Sequence, residues 1–280
     1  MVEPDPRRER VFQGGRVAIG QFTARPPDAW FPDSGPTRGF LVVFPRLAVR
    51  IAHAGAPWVV ADPTRVMFYN LAQEYRRARV APEGDRCEWF AFHPEDVADA
   101  VRPFDAAVAD RPARPFAFVW GPGTAALYAR QRAIFASVRA ADPVRVEEAA
   151  LDVLRRAVAL SYRRPPRDVA GARDRDLAAA VQEHLATRFT QRLTLADLAR
   201  AAGCSAFHLC RAFRRATGGR LHAYIDALRL RRALELVPER RGDLTALALE
   251  LGYTSHSHFT LAFRRAYGVP PSGFPDRLPR

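Results

Sequence analysis

An α+β chain is predicted: an antiparallel β barrel or sandwich with attendant helices, followed by an all-α domain holding two helix–turn–helix units. Three observations carry this. Residues 16–120 contain short apolar runs about ten residues apart, broken by Pro, Gly and Asp, as in antiparallel strands. From residue 177 nearly to the end, apolar residues recur at the three- and four-residue intervals of a helix face. Finally, one phrase is written twice, 50 residues apart: Ala212-Phe213-Arg214-Arg215-Ala216-Thr217-Gly218 and Ala262-Phe263-Arg264-Arg265-Ala266-Tyr267-Gly268. Upstream of the copies stand Leu198-Ala199 with Gly203 and Leu247-Ala248 with Gly252, the same spacing each time.

In chain order, residues 1–15 are charged, end in Gly14-Gly15 and are expected to form a mobile arm. Strands are expected at Val17–Phe22, Phe40–Phe44, Leu47–Ile51, Trp58–Ala61, Val66–Tyr69 and Cys87–Phe92. On the last of these, Cys87, Trp89 and Ala91 share one face and Glu88, Phe90 and Phe92 the other; core packing is the preferred role of both. Gly121-Pro122-Gly123 reads as a turn before a helix. Helices follow over Thr124–Ala141 and Val144–Tyr162, separated by Asp142-Pro143. The apolar stripe of the second suits either packing on the barrel or pairing with a second copy. Arg163-Arg164-Pro165-Pro166-Arg167-Asp168 lacks apolar periodicity and is the linker candidate, giving a domain plan of 16–162, linker 163–175 and 176–280.

Beyond the linker a helix is expected over Leu177–Phe189. Thr194 with Asp197 three residues on makes an N-terminal cap, and Gly203 a left-handed end. Ser205 caps a helix to Gly218; Leu221–Val237 is a longer helix stopped by Pro238; the last two helices lie near 244–251 and 255–267.

In the helix after Ser205, Leu209, Ala212, Phe213 and Ala216 form the core stripe, and Phe207, Cys210, Arg211 and Arg214 the opposite one. Moved 50 residues on, the core stripe becomes Phe259, Ala262, Phe263 and Ala266, almost the same text. The outward stripe becomes Ser257, Thr260, Leu261 and Arg264, which differs. One scaffold with two different outer surfaces suits two adjacent, non-identical DNA subsites. An ordinary duplicated helix pair with a solvated basic face would explain the charge, but not the combination of repeat, glycine turns and capped starts.

The charge agrees. The formal net charge is +13, and all 43 cationic residues are arginine, a bias best ascribed to GC-rich coding. Residues 171–280 hold 18 Arg against 10 acids, residues 1–170 hold 25 against 20, so the helical part is the more basic per residue. The three cysteines, Cys87, Cys204 and Cys210, are too few for a disulfide scaffold and fit a reducing cytoplasm. No signal-peptide core and no run of 18 apolar residues occurs, so no membrane association is expected. His53 and His93 stand alone in the first part, and His256-Ser257-His258 lies on a helix start where neighbours diverge. No metal centre and no cofactor is therefore expected.

Ala248-Leu249-Glu250-Leu251-Gly252-Tyr253-Thr254-Ser255-His256-Ser257-His258-Phe259, then Phe263-Arg264-Arg265 and Gly268-Val269-Pro270-Pro271, resemble the AraC/XylS family of bacterial transcription regulators. The likeness extends to Tyr224-Ile225 and Arg229-Leu230-Arg231-Arg232-Ala233 and covers about residues 176–275. It implies a seven-helix domain whose two motifs, joined by one long helix, each place a second helix in the major groove of double-stranded DNA. By position it implies base-reading by Phe207, Cys210 and Arg211 in the first motif and by His256, Ser257 and Thr260 in the second. Leu261 stands where relatives often carry arginine, and is suited to a thymine methyl rather than a guanine. Arg214, Arg215, Arg264 and Arg265 are expected on phosphates.

The resemblance further implies a cupin-like sensor and dimerisation domain over 16–162, an activator, and RNA polymerase, a small-molecule effector and a second copy as partners. A bacterial cytoplasmic, nucleoid-associated location follows from the same likeness. No effector-binding residue is assigned. The rival readings are a cupin-type enzyme fused to a DNA-binding domain and a regulator controlled by a protein partner. No catalytic residues are assigned, because residues 16–120 offer no nucleophile–base pair, metal triad or phosphate loop.

Overall fold

The computed structural model describes residues 8–28, 31–33, 35–163 and 170–275. The chain divides near residue 165 into two compact units.

Among the described residues, the first unit is built on nine strands: β1 (Arg8–Gln13), β2 (Val17–Ala24), β3 (Phe40–Pro45), β4 (Val49–His53), β5 (Val59–Ala61), β6 (Arg65–Tyr69), β7 (Tyr75–Arg79), β8 (Asp85–Phe92) and β9 (Trp120–Pro122). Antiparallel pairing gives one sheet in the order β1-β2-β8-β3-β6-β9 and a second in the order β5-β4-β7. The two face each other across one shared core, as in a β barrel. Phe22, Val43, Met67, Tyr69 and Cys87 of the large sheet share one apolar core with Val49, Ile51 and Tyr75 of the small one. The period-2 alternation on β8 decides its two contacts. Cys87 and Trp89 face this core. Phe90, on the other face, meets Phe135 at a ring distance of 5.7 Å.

Helices cover that second face: α1 (Pro94–Val101), α2 (Ala125–Ser137) and α3 (Pro143–Arg163). Thr124 caps α2 through its side-chain oxygen, which accepts from the Leu127 N–H at 3.3 Å. The stripe of α3, including Val146, Leu154 and Val158, is buried within this unit. Glu88 is buried beneath α2, where its carboxylate accepts from Gln131, from Arg46 at 2.9 Å and from Arg132 at 2.6 Å. Charge matching explains why a glutamate is tolerated there.

Several expectations shift. Of the expected arm, residues 1–7 lie outside the described residues, while Arg8–Gln13 form β1, an edge strand registered on β2 from Arg8↔Phe22 to Gln13↔Ala18. Its charged residues are tolerated because every side chain of β1 is exposed or half-buried. Trp120–Pro122 is not a turn but the short strand β9 on β6; at a sheet edge, proline's missing donor costs little. Of the linker, residues 164–169 lie outside the described residues; Arg163 ends α3 and Ala172–Arg175 begin the next helix.

Burial also shapes the acid response. His53, at the end of β4, is 5 % exposed, its ring 4.5 Å from that of Tyr69. Its Nε2 has no hydrogen-bond partner among the described residues, and burial lowers its pKa to about 4. Below the ordinary value the unfolded chain takes a proton that the fold excludes. Stability should therefore fall from pH ~6.5 to ~4, by about 3 kcal/mol at most, then level off. Urea titrations at several pH values should show this component in the parent and not in His53→Phe; equal pH dependence in both would remove His53 from the account.

The second unit is helical: α4 (Ala172–Ala186), α5 (Leu195–Ala201), α6 (Ala206–Thr217), α7 (Leu221–Arg240), α8 (Leu244–Glu250) and α9 (His256–Tyr267). The first helix starts five residues before the expected Leu177, its opening turn masked by alternating charges at Arg173–Asp176. Pro238 does not stop α7 but lies in its last turn, where its fixed φ is compatible with a helix and only one N–H is lost.

Candidate nucleic-acid interface

Both second helices of the paired motifs are started and stopped by local chemistry. Before them, α5 opens on a complete capping box: the Thr194 Oγ1 accepts from the Asp197 N–H and the Asp197 carboxylate from the Thr194 N–H, each at 3.1 Å. The Oγ of Ser205 accepts from the His208 N–H at 3.2 Å, and that of Ser255 from the His258 N–H at 3.2 Å. Gly218 (φ 75°) and Gly268 (φ 83°) end α6 and α9 in the left-handed region, which glycine enters without a steric penalty.

The inward faces match. Leu209, Ala212 and Phe213 of α6 are buried, as are Phe259 and Phe263 of α9; Ala216, Ala262 and Ala266 are half-buried. The outward faces do not match. On α6, Phe207 is 75 % exposed, with Cys210, Arg211 and Arg214 exposed beside it. The Arg211 guanidinium lies 6.0 Å from the centre of the Phe207 ring one turn earlier, so the ring backs the fork. On α9, His256, Ser257 and Arg264 are exposed, Leu261 is 48 % exposed and Thr260 half-buried. Thr260 Oγ1 lies 3.4 Å from His256 Nε2, which joins two of the candidate readers on one patch.

The four arginines are not equivalent. Arg214, Arg264 and Arg265 are exposed in the last turns of their helices. Arg215 instead reaches back to α4, where its Nε donates to the buried Asp174 carboxylate at 2.7 Å. Asp174 lies outside the repeat, so comparing the two copies gave no sign of this pairing.

Sequence reasoning also missed Arg229 of α7. Its Nε donates to the Phe189 carbonyl at 2.7 Å and its Nη2 to the Gln191 carbonyl at 3.1 Å, and its guanidinium lies 5.5 Å from the centre of the Tyr253 ring. The family-like phrase Arg229–Ala233 was the available signal, but not these carbonyl partners.

In the first unit, a cleft of about 350 Å³ is lined by Asp33, His53, Trp58, Glu74, Tyr75 and Arg76 among others. Among the described residues there is no group of three or more His, Cys, Asp or Glu placed to hold a metal ion, and no helix long and apolar enough to cross a membrane.

Comparison with known sequences agrees with the helix–turn–helix geometry of the second unit. A family described as a helix-turn-helix domain matches residues 198–277. Regulatory protein SoxS of Escherichia coli strain K12 is 33 % identical over 103 residues, covering 37 % of this chain and 92 % of SoxS. The probable transcriptional regulator LumQ of Photobacterium leiognathi is 30 % identical over 94 residues, covering 34 % of this chain but only 36 % of LumQ. A crystal structure of apo ToxT from Vibrio cholerae strain SCE256 aligns over 92 % of this chain and 96 % of that one, at 11 % identity and a TM-score of 0.40.

Proposed function

This chain belongs to the AraC/XylS family of transcription regulators, and from that premise we propose that its two motifs read two adjacent, different DNA subsites under control of its first unit. The observation that carries the reading is the pairing of matched buried faces with unmatched exposed ones on α6 and α9. Two recognition helices on one rigid frame suit successive major grooves about 34 Å apart. Phe207, Cys210 and Arg211 read the first subsite; His256, Ser257, Thr260 and Leu261 read the second. The regulator acts as an activator through RNA polymerase, takes a small-molecule effector in its barrel domain, and pairs with a second copy. Domain 176–280 carries the DNA contacts and 16–162 the sensing.

A binding-site selection tests this reading. Arg211 has a donor fork that fits a guanine edge; Leu261, its counterpart 50 residues on, has no donor. Arg211→Ala should relax base preference at one position of the first subsite by about 1–3 kcal/mol. Leu261→Ala should have a smaller effect, at a thymine. Uniform weakening by Arg211→Ala across all sequences would make it a phosphate contact and remove it from the reading set.

Phosphate anchoring has a separate signature. Replacing both Arg264 and Arg265 with Ala should weaken specific and random DNA alike and reduce the slope of log affinity against log salt by up to about 2. Arg215→Ala should change the slope less, since its guanidinium already holds Asp174. An unchanged slope in the double variant would exclude phosphate contacts at 264 and 265.

A further inference from the structure

We propose that Arg229 is a positioning residue that fixes where α9 sits relative to α6, and so sets the spacing of the two DNA subsites. The proposal rests on the two-subsite reading above and gives it a geometric determinant. Three segments meet at this side chain. The loop that leads into the first motif, just before the capped start of α5, gives it the carbonyls of Phe189 and Gln191 at 2.7 and 3.1 Å. The connecting helix α7 carries it. The turn of the second motif closes over it, with the Tyr253 ring at 5.5 Å.

That turn lies close against both partners. Gly252 has φ 84°, and a Cβ there would fall on the Thr190 carbonyl oxygen and on the Arg229 guanidinium. The corresponding Gly203 of the first motif also has positive φ (62°), but open space surrounds its missing Cβ. The close approach thus belongs to the second motif alone, which is the one brought against the lead-in of the first. One residue along α7, the Leu230 carbonyl accepts from the Tyr267 hydroxyl at 2.9 Å and ties down the far end of α9. The turn before α9 and the last residue of α9 are therefore referenced to positions 229 and 230.

Geometry explains why an arginine serves. Two carbonyls offered two residues apart on one loop need two donors held at a fixed separation, which a guanidinium supplies and an ammonium does not. Arg229 is half-buried under the turn, so a loss of its bonds frees the loop and the turn together.

The test uses the full chain carrying Cys204→Ser and Leu261→Cys, spin-labelled at Cys210 and position 261, both on exposed stretches of α6 and α9. Electron–electron distance measurement without DNA should give a narrow distribution in this parent and a broad one in Arg229→Ala. With unlabelled protein, operators with one base pair added or removed between subsites turn the second site by about 34°. The affinity penalty for that change should drop from about tenfold or more in the parent to under about threefold in Arg229→Ala, with base preferences within each subsite kept. Arg229→Lys should behave as the alanine variant does; full recovery by lysine would assign the residue to a phosphate and overturn the proposal. Gly252→Ala, which crowds the same point from the opposite side, supplies the second variant if Arg229→Ala does not fold, and should likewise reduce the spacing penalty. Parent-like distance distribution and spacing penalty in a folded variant overturn the proposal. Broadening in Arg229→Ala beside a parent indifferent to spacing would instead sink the two-subsite reading and leave the positioning role standing.

Discussion

Truncating Phe263 to alanine should destabilise the second unit by about 3–5 kcal/mol, the usual range for deleting a buried phenyl ring. The ring is 0 % exposed and has Phe259, Tyr267 and Phe274 within 5.7, 4.6 and 5.6 Å of its centre. No small shift can refill a space bounded by three other rings. Leu261, two residues away on the same helix, is the internal control: being exposed, its truncation should change stability by no more than about 0.5 kcal/mol. The chain offers a clean readout, because all four tryptophans lie in the first 120 residues. Circular dichroism at 222 nm reports the helices of both units, the larger share in the second, and tryptophan emission only the first. Phe263→Ala should lower the urea midpoint of the former and leave the latter in place. A shift of the tryptophan transition alone would contradict the assignment of Phe263 to the second core.

Replacing Arg77 with alanine should have a comparable effect on the other unit. Arg77 and Asp85 form an ion pair at 3.1 Å inside the barrel, with both side chains almost wholly buried. The guanidinium sits 4.5 Å from the centre of the Phe22 ring and its Nη2 donates to the Tyr75 hydroxyl at 3.0 Å. Removing one partner of a buried pair leaves the other charge desolvated, at a cost of about 3–5 kcal/mol. Here the sign of the pH dependence is informative. Burial already raises the Asp85 pKa, even with the guanidinium beside it. Without Arg77 the carboxylate can escape its penalty by taking a proton, so the loss should be largest near neutrality and shrink as the pH falls. Joint replacement of Arg77 and Asp85 by apolar residues of similar size should recover much of the stability, whereas Arg77→Ala alone should not. The tryptophan transition reports the result; a deficit that stays constant down to acid pH would mean that lost packing, not the stranded charge, is responsible.

The parts of this molecule legible in its sequence are those with short-range causes. Caps at Thr194, Ser205 and Ser255, left-handed ends at Gly218 and Gly268, and the 3.6 period of α6 and α9 depend on residues within one or two turns of each other. Strands such as Phe40–Phe44 announce themselves by apolar runs, since both faces are covered. What was illegible depends on distant partners. Arg8–Gln13 reads as a charged arm until β2 offers it a ladder, and Trp120–Pro122 reads as a turn until β6 does the same. The eight-residue α1 carries a stripe of only Val97, Ala100 and Val101, too few residues to mark a helix in the sequence. The candidate interface divides along the same line: its exposed stripes were readable from periodicity, but the engagement of Arg215 by Asp174, and of Arg229 by two loop carbonyls, was not.

Matched inner faces and unmatched outer faces also bear on how such a regulator can change through time. On the two-subsite proposal, fold and vocabulary are carried by different residues of the same two helices, so a substitution at Arg211 or Leu261 need not disturb the buried Phe213 or Phe263. Each half of an operator read in this way can therefore drift separately while the residues that read the other half are unchanged. Descendants of one ancestral gene could then come to govern different promoters by single steps that leave the buried faces of both helices intact.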